Sequence, residues 1–527
     1  MSQLSSADHG TSPPRVSIPR QYNAADDLVQ RNLQAGRGSK VAYIDDHGSY
    51  TFSDLAERVN RFGNVLTGMS LAAEDRVMLC LLDTIDFPTA FLGSIHAGIV
   101  PVAANTLLTT ADYDFMLGDS RAKALVVSKA LWPQFASIVG KHHKTLKHVI
   151  ISGSDEKGYP NLAELMMGVS PRSEPAQTTC DDFCFWLYSS GSTGTPKGTV
   201  HLHSHLIQTA ELYGRGVLGI REDDVVFSAA KLFFAYGLGN GLTFPLAVGA
   251  TAVLMAERPT PQAVFQRLRQ HQPTIFYGVP TLYAGLLASP EMLKRDEVPR
   301  LRVCTSAGEA LPADIGRRWT ESLGVEILDG IGSTEMLHIF LSNRAGEVRY
   351  GTTGKPVPGY AVRLIGEDGN PVAPGEIGEL QINGPSSAIM YWNSREKSRH
   401  TFMGEWTRSG DKYIESADGY FQYCGRSDDM LKVGGIYVSP FEVEGALMTH
   451  EAVLEAAVVA HADTDDLIKP KAYVVLKAGV EPSDALRETL KQHVKEKLAP
   501  YKYPRWIEFV AELPKTATGK IQRFKLR

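Results

Sequence analysis

Residues 183–198 read Phe-Cys-Phe-Trp-Leu-Tyr-Ser-Ser-Gly-Ser-Thr-Gly-Thr-Pro-Lys-Gly, and they contain the most specific segment of the sequence. Its first six residues form an apolar run typical of a buried strand, and a loop rich in Ser, Thr and Gly follows. Glycines let backbone N–H groups converge on phosphate oxygens, hydroxyls donate further hydrogen bonds, and lysine adds positive charge. The loop therefore predicts a polyphosphate site formed by Ser189, Ser190, Gly191, Ser192, Thr193, Gly194, Thr195 and Lys197.

The loop differs from the Walker A motif of P-loop NTPases. Pro196 precedes its lysine and Gly198 follows it, whereas Walker A requires Gly before the lysine and Ser or Thr after it. A flexible Ser/Thr/Gly linker is the alternative interpretation. Linkers do not usually have a Pro-Lys-Gly exit after a buried strand, so the sequence favours phosphate binding outside the P-loop class.

Short apolar runs alternate with longer segments of helical periodicity on both sides of this stretch, between Val41 and Val253. This alternation predicts an α/β fold in which a large N-terminal domain is built of layered, mostly parallel sheets with helices. The loops that follow such strands are where ligands should bind. The clearest predicted strands are 76–82, 124–128, 148–152, 183–188, 225–229, 274–277 and 302–306.

The remainder of the chain has a different texture. Short strands separated by turns predict a β-rich subdomain at about 359–427, which completes an N-terminal domain of residues 20–427. Residues 428–527 contain enough strands and helix for a small α+β C-terminal domain. Residues 1–19 are rich in Ser, Pro and Gly, so we expect a disordered tail there.

Bulk composition excludes several classes of protein. The chain has 54 Lys and Arg against 59 Asp and Glu, a formal charge of -5, and so no global positive field for nucleic acid or an anionic membrane. No apolar stretch approaches the roughly 20 residues of a membrane span. The N-terminus lacks the apolar core of a signal peptide, so we expect a cytoplasmic protein. Five cysteines without CxxC spacing argue against a disulfide framework and a zinc site.

Four further motifs follow the loop in the chain: DGIGSTE at 329–335, TRSGD at 407–411, GRSDDMLKVGG at 425–435 and LPKTATGK at 513–520. Together with the loop, they resemble the signatures of the acyl-adenylate-forming superfamily, which contains CoA ligases, luciferases and peptide-synthetase adenylation domains. The five motifs occur in the family order and span most of the chain.

The resemblance implies attack of a carboxylate on the α-phosphate of ATP, departure of pyrophosphate, and transfer of the acyl group from AMP to coenzyme A. Such a site requires cations aimed at the phosphorus, and Lys520 and Mg²⁺ would supply them. By the same resemblance, Thr334 would contact the α-phosphate and Glu335 would hold Mg²⁺ through its hard carboxylate oxygens. Asp411 would accept hydrogen bonds from both ribose hydroxyls, with Arg426 nearby.

Two further groups of residues are implied by the family. Gly308 and Glu309, after a strand, resemble the adenine-contacting loop, and Asp329 and Gly330 would lie along the other edge of the adenine. In the C-terminal segment, Asp428 matches the hinge about which the small domain rotates between the two half-reactions. Glycine allows close passage of pantetheine past the backbone. The implied CoA tunnel consists of Lys432, Gly434 and Gly435.

The segments KLFFAYGLGN at 231–240 and MLHIF at 336–340 resemble the acyl-pocket motifs of benzoate:CoA ligases. The resemblance implies a short, flat pocket bounded by apolar and aromatic faces, which takes benzoate or a close aromatic acid and rejects long chains. A core tyrosine at Tyr236 and a packed histidine at His338 are the alternative interpretations. The implied pocket residues are Ala235, Tyr236, Ala307, Gly332, His338 and Ile339.

Other functions stay open on the sequence. A CoA ligase for another small aryl or alicyclic acid, a stand-alone enzyme that loads a carrier protein, and a luciferase-like oxidase all share the motifs. A nucleotide sensor without turnover is the alternative from another class, and Glu335, Lys520 and Asp428 together argue against it. The expected partners are a small aromatic acid, ATP and CoA, without nucleic acid or membrane, in a monomer or homodimer.

Overall fold

The computed structural model describes residues 4–190, 196–427, 429–433, 436–464, 467–515 and 521–527, apart from the side chains of Ser190, Lys432, Ile436, Tyr437 and Pro500. Two large mixed sheets dominate the part before residue 360. Among the described residues, no helix is both long and apolar enough to cross a lipid bilayer.

The first large sheet has seven strands and contains the strand that leads into the Ser/Thr/Gly loop. That strand, Phe183–Ser190, runs parallel to Val100–Ala103 on one side and antiparallel to Pro196–Leu202 on the other. The spatial order of the sheet is Met390–Tyr391, Pro196–Leu202, Phe183–Ser190, Val100–Ala103, Arg76–Cys80, Ala124–Ser128 and His148–Ser152.

The second large sheet has nine strands, and its six central strands are parallel to one another. Their runs of apolar residues are buried, as expected of a sheet covered on both faces by helices. The spatial order is Lys355–Pro356, Ile339–Ser342, Ile327–Gly332, Val303–Ser306, Ile275–Gly278, Val225–Ser228, Thr251–Val253, Val41–Asp45 and Gly48–Thr51.

Helices cover these sheets, and local capping defines where several of them begin. Helix Phe52–Gly68 begins with a capping box, in which Thr51 Oγ1 accepts from the Asp54 N–H at 3.1 Å and the Asp54 carboxylate accepts from the Thr51 N–H at 2.8 Å. The other α-helices before residue 430 are Ala24–Gln34, Asp86–His96, Thr110–Ser120, Leu162–Met167, His203–Thr209, Ala235–Leu238, Phe244–Val248, Pro261–His271, Pro280–Ala288, Ala313–Leu323 and Arg395–Thr401.

Two π-helical turns, Ala210–Arg215 and Gly239–Thr243, interrupt the helices beside the second sheet. Such turns are rare and occur frequently at functional sites. Short 3₁₀ turns complete the helical elements, at Lys129–Gln134, Val139–His142, Arg295–Glu297, Pro500–Lys502 and Arg523–Lys525.

A five-stranded antiparallel sheet follows, as the sequence predicts for the β-rich segment. Its strands are Ala361–Ile365, Ile377–Asn383, Phe402–Met403, Trp406–Glu415 and Phe421–Arg426.

The described elements after residue 428 pair only with one another. They form the hairpin Leu431–Val433 with Ile436–Val438 and a sheet of Val453–Ala462, Ile468–Leu476 and Trp506–Phe509, packed with helices Pro440–Met448 and Asp484–Lys497 around a hydrophobic cluster of their own. We propose the boundary between the two domains at residue 428 on this basis.

The predicted disordered tail is wrong for residues 4–19. Strands Ser6–Asp8 and Arg15–Ser17 pair antiparallel, and polar side chains tie them to the body. Ser5 Oγ donates to Asp27 Oδ2 at 2.5 Å, and His9 Nε2 lies 2.7 Å from Glu211 Oε2. Because Asp27 and Glu211 are buried, these contacts hold a segment whose composition alone predicts disorder.

Candidate active site

The two strands that flank the Ser/Thr/Gly loop bring its ends together. In their antiparallel register Ser189 pairs with Lys197, and Ser190 pairs with Pro196. Ser189 Oγ is buried and has no hydrogen-bond partner among the described residues. A buried hydroxyl without a partner costs free energy, so an anionic ligand here would satisfy it. The predicted residues Gly191, Ser192, Thr193, Gly194 and Thr195 lie outside the described residues, as does the Ser190 side chain.

Lys197 faces the carboxylate that the sequence assigns to Mg²⁺. Its Nζ lies 3.9 Å from Glu335 Oε1 and 4.2 Å from the centre of the Tyr391 ring. The Tyr391 hydroxyl donates to the same Glu335 oxygen at 2.6 Å. Burial lowers the pKa of Lys197, and the Glu335 carboxylate opposes that shift. A lysine, a carboxylate and a phenol therefore meet at the end of the loop strands.

Sequence reasoning missed Tyr391. It belongs to the two-residue strand Met390–Tyr391, which pairs with the loop-exit strand through Thr199 opposite Tyr391. Nearly two hundred residues separate the two strands, and two residues are too few to show a strand periodicity. The only local signal is an aromatic pair, Tyr391 and Trp392.

Three successive carbonyls after strand Ile327–Gly332 each accept a hydrogen bond from another element. The Thr334 carbonyl accepts from His201 Nε2 at 2.8 Å. The Glu335 carbonyl accepts from the Ala388 N–H at 2.7 Å, and the Met336 carbonyl accepts from Ser386 Oγ at 2.7 Å. The backbone that carries Thr334 and Glu335 is thus fixed from several sides.

Asp411 and Arg426 form a pair on neighbouring antiparallel strands. They are opposite each other in the register, and Arg426 Nη1 donates to Asp411 Oδ1 at 3.2 Å. Gly410 adopts a φ of +74°, and a Cβ there would lie 2.9 Å from Arg426 Nη2. Only glycine suits this position, because a side chain would be strained and would displace the arginine. The arrangement suits recognition of a diol by a carboxylate beside a cation.

The residues assigned to adenine lie at the carboxyl ends of adjacent parallel strands. Gly308 and Glu309 follow Val303–Ser306, and Asp329 lies opposite Ser306 in the register. Burial raises the pKa of Asp329 well above its ordinary value, and its Oδ1 has no hydrogen-bond partner within the described ranges. Gly330 is the next residue of the same strand. Ligands bind in this position in open parallel sheets.

Two of the residues assigned to the acyl pocket, Tyr236 and Gly332, lie against His338. His338 Nε2 donates to the Tyr236 carbonyl at 3.2 Å, and the Tyr236 hydroxyl lies 2.5 Å from Thr305 Oγ1. Burial lowers the pKa of His338 to about 3, so this imidazole is neutral at pH 7. Ala307 and Ile339 are buried as well, and Ala235 and Gly332 are partly exposed. The wall is aromatic and uncharged, as an aromatic ring requires.

Further aromatic residues, which sequence reasoning missed, also pack against His338. The His338 ring lies 5.2 Å from the Tyr213 ring and 4.5 Å from the Phe244 ring. A Cβ on Gly239 would lie 2.3 Å from His338 Cδ2, so glycine is required for this close approach. Gly239 belongs to one π-helical turn and Tyr213 to the other.

Two protein-family models match the sequence. "AMP-binding enzyme" covers residues 29–392, and "AMP-binding enzyme C-terminal domain" covers residues 442–520. The chain belongs to the AMP-binding enzyme family. The predicted membership and fold class, a large α/β N-terminal domain followed by a small C-terminal domain, are therefore confirmed.

Characterised AMP-binding enzymes of this family resemble the chain over its whole length. A benzoate–CoA ligase of Thauera aromatica is 68% identical over 100% of both chains. A 4-hydroxybenzoate–CoA/benzoate–CoA ligase of Rhodopseudomonas palustris is 50% identical over 96% of this chain and 94% of its own.

Solved structures of the family agree with the fold. A benzoate CoA ligase from Burkholderia xenovorans superposes with a TM-score of 0.89 at 57% identity, over 96% of this chain and 100% of that one. An anthranilate CoA ligase in complex with anthranoyl-AMP superposes with a TM-score of 0.92 at 45% identity, over 97% of both chains.

A divalent cation in this AMP-binding enzyme fits the donors that are present. Mg²⁺ usually takes one or two protein carboxylates together with substrate phosphates and water. Glu335 offers one carboxylate at the end of the loop strands, with one oxygen already bonded to Tyr391. Its second oxygen suits a hard cation shared with a polyphosphate.

The remaining predicted residues fall in the C-terminal part of this AMP-binding enzyme. Lys432 lies in strand Leu431–Val433, and its side chain is not among the parts of the chain that the structure describes. Lys520, Asp428, Gly434 and Gly435 lie outside the described residues, and their roles stay predictions.

Proposed function

We propose that this AMP-binding enzyme is an ATP-dependent benzoate–CoA ligase. A carboxylate oxygen of benzoate attacks the α-phosphorus of ATP, the bond to the β-phosphate oxygen breaks, and pyrophosphate leaves. The CoA thiol then loses its proton and attacks the acyl carbon of benzoyl-AMP, and AMP departs. The observation that carries the proposal is the uncharged aromatic wall formed by Tyr236, His338, Tyr213 and Phe244 in a chain 68% identical to a benzoate–CoA ligase.

The proposed site roles divide into three groups. Thr334 and Lys197 bind phosphate oxygens, together with the loop between the two strands, and Glu335 would hold Mg²⁺, which would neutralise polyphosphate charge. Asp411 and Arg426 bind the ribose. The adenine lies between Gly308 and Glu309 on one edge and Asp329 and Gly330 on the other.

The acyl pocket favours a flat, uncharged ring. His338 is neutral and buried, so it offers packing surface without a charge that the second carboxylate of a dicarboxylic acid could exploit. Ala235, Ala307, Gly332 and Ile339 complete the proposed lining with small or apolar groups. A benzoate ring therefore fits better than a long alkyl chain.

The small C-terminal domain is proposed to be mobile. Asp428 would act as its hinge, Lys520 would stabilise the transition state of adenylation, and Lys432, Gly434 and Gly435 would line the path of CoA. We further propose a cytoplasmic monomer or homodimer without nucleic acid or membrane partners, consistent with the formal charge of -5.

A panel of acids tests the proposal. AMP release that depends on ATP, Mg²⁺ and CoA is measured with benzoate, 2-aminobenzoate, 4-hydroxybenzoate, cyclohexanecarboxylate, acetate and octanoate. Benzoate should be preferred by at least about a hundredfold over octanoate, because a closed aromatic pocket cannot hold the chain. Preference for an aliphatic acid would overturn the pocket, and absence of AMP with every acid would overturn the ligase.

Small substituted benzoates are the second candidate substrates. The Rhodopseudomonas palustris relative is named for 4-hydroxybenzoate as well as benzoate, and the anthranilate CoA ligase has nearly the same fold. A pocket distinguishes ligands that differ by one small group by only ~1–3 kcal/mol when no dedicated polar partner rejects them. The same panel measures this tolerance through 2-aminobenzoate and 4-hydroxybenzoate.

A further inference from the structure

Two buried histidines outside the assigned site connect the loop-exit strand to the backbone of Thr334. His201 lies near the end of strand Pro196–Leu202, and His205 lies in the helix His203–Thr209 that follows. Both rings are buried. The His201 ring stacks on Phe185, with centroids 5.1 Å apart, and meets the His205 ring edge-on at 5.3 Å. The two imidazoles are therefore held rigidly by packing.

The distances determine which nitrogens carry protons. His201 Nε2 lies 2.8 Å from the Thr334 carbonyl, and a carbonyl oxygen only accepts, so Nε2 bears the hydrogen. His201 Nδ1 lies 3.0 Å from His205 Nδ1. Burial lowers the pKa of both histidines, which supports neutral rings with one proton each. His201 Nδ1 is then the acceptor, and His205 Nδ1 donates to it.

Electrostatic repulsion disfavours the opposite assignment of two neutral rings. The Leu202 N–H lies 3.3 Å from His205 Nδ1 and could donate to it if that nitrogen were unprotonated. Two nitrogen lone pairs would then face each other at 3.0 Å, in a buried site where that repulsion is not screened by water. His205 thus donates a hydrogen bond to His201, and His201 donates one to the Thr334 carbonyl.

The hydrogen bonds from His205 to His201 and from His201 to Thr334 connect the two halves of the proposed nucleotide site. Lys197 and His201 lie on the same strand, which begins where the Ser/Thr/Gly loop ends. Strand Ile327–Gly332 belongs to the other large sheet, and Thr334 and Glu335 lie on the segment that follows it. Ala388 and Ser386 also bind this segment, but neither lies on the loop-exit strand. The hydrogen bond from His201 to Thr334 therefore fixes the distance between the strand that follows the phosphate loop and the segment that carries Thr334 and Glu335.

We propose that His201 and His205 are positioning residues for ATP and Mg²⁺, which set the separation between the loop-exit strand and the Thr334–Glu335 pair. The proposal rests on the roles assigned above to Thr334 and Glu335. Neither histidine touches the reacting atoms. Their loss should weaken nucleotide binding and adenylate formation, and it should spare thioester formation from benzoyl-AMP supplied to the enzyme.

His203 offers a matched control, because it lies between the two histidines and is equally buried. Its Nδ1 accepts from the Ala24 N–H at 3.1 Å, at the start of helix Ala24–Gln34, so it faces a different part of the core. His203→Leu should lower the melting temperature and leave nucleotide affinity unchanged. Comparison with His203→Leu therefore separates a general loss of core packing from a loss of the positioning of Thr334 and Glu335.

The variants are chosen by which hydrogen bond they retain. In His201→Gln the amide nitrogen replaces Nε2 and can still donate to the Thr334 carbonyl, whereas His201→Leu removes the donor. In His205→Asn the amide nitrogen replaces Nδ1 and can still donate to His201, whereas His205→Leu cannot. If His201→Leu does not fold, the His205 pair tests the same chain one residue further from the site.

The experiment measures the dissociation constant of α,β-methylene-ATP with Mg²⁺ by calorimetry, together with pyrophosphate exchange and thioester formation from synthetic benzoyl-AMP. The two leucine variants should weaken binding about tenfold, the effect of one lost buried hydrogen bond, and the Gln and Asn variants should recover most of it. Wild-type affinity in His201→Leu and His205→Leu, or an equal loss in His203→Leu, would overturn the proposal.

Glu335→Gln separates failure of the inference from failure of the site assignment. If Glu335→Gln weakens Mg²⁺-dependent binding and the histidine variants do not, only the positioning role is overturned. If Glu335→Gln binds the analogue as the wild type does, the assignment of Glu335 is overturned, and the role of the histidines with it.

Discussion

At the scale of single residues, the site depends on groups that hold the assigned residues in place as much as on the assigned residues themselves. Tyr391 binds Glu335, and Gly239 allows the close approach of His338. Neither contact is visible from sequence spacing. Each joins residues of separate elements, which lie up to about a hundred positions apart in sequence and meet only through packing. The motifs identify the reactive groups, and the structure identifies their supports.

Replacing Tyr391 with Phe removes a 2.6 Å hydrogen bond to Glu335 while keeping the ring beneath Lys197. The Mg²⁺ concentration for half-maximal adenylation should rise about three- to tenfold, because the freed carboxylate loses its preferred orientation. The affinity for benzoate should not change. A titration of pyrophosphate exchange with Mg²⁺ measures the effect, and Tyr420→Phe, at an exposed phenol, is the control. An unchanged Mg²⁺ requirement would contradict the supporting role.

Replacing Gly239 with Ala places a methyl group 2.3 Å from His338 Cδ2. The histidine must move, and overpacking of this kind costs roughly 1–3 kcal/mol. We expect the KM for benzoate to rise at least about tenfold, with a smaller change in the KM for ATP. Gly68→Ala, at the exposed end of helix Phe52–Gly68 where a Cβ would meet no atom within 4 Å, controls for the loss of glycine itself. Equal changes in both KM values would argue against a local effect on the acyl pocket.

At the scale of elements, burial explains which parts of the fold the sequence predicts. Strands Ala124–Ser128 and His148–Ser152 have the predicted bounds, and the other predicted strands of the large sheets differ by one to two residues, because continuous apolar runs mark buried parallel strands. The sequence does not predict the N-terminal hairpin, since its strands have three residues each and are mostly polar. It does not predict the strand of Tyr391 because two residues show no periodicity and the partner strand is far away in the chain.

Deletion of residues 1–19 should destabilise the protein without changing its chemistry. The hairpin supplies hydrogen bonds to the buried carboxylates of Asp27 and Glu211, whose other partners among the described residues are Tyr22, Arg31 and Arg215. A loss of about 1–3 kcal/mol should appear as a lower melting temperature, with unchanged KM for ATP. Arg15→Ala, at an exposed position of strand Arg15–Ser17, should leave the melting temperature within error of the wild type.

At the scale of the whole molecule, the proposed reaction assigns the two domains to different half-reactions. Lys520→Ala should abolish adenylate formation and largely spare thioester formation from benzoyl-AMP, because the lysine is proposed to act only on the α-phosphate. Single-turnover assays of each step measure the division, with Lys515→Ala as the neighbouring control. An equal loss in both steps would contradict alternation of the small domain.

Buried neutral histidines make the stability of the whole molecule depend on pH. Burial lowers the pKa of His96 and His203 to about 4 and that of His338 to about 3, below the value of ~6.5 in an unfolded chain. At these histidines the unfolded state therefore binds more protons between these values, and their contribution to stability falls as the pH drops below about 6.5. Melting temperatures from pH 8 to pH 5 test this, and His96→Gln should make the fall less steep.

The elements that form the aromatic wall around His338 contribute nothing to the assigned ribose and adenine contacts. Residues 210–215 and 235–244 belong to the wall, while the nucleotide is assigned to strand ends and to the antiparallel sheet. Substitutions in these helical segments can therefore change acid preference during evolution while the chemistry of activation is retained. Ala307, Gly332 and His338 lie beside the assigned nucleotide residues and are constrained by both functions.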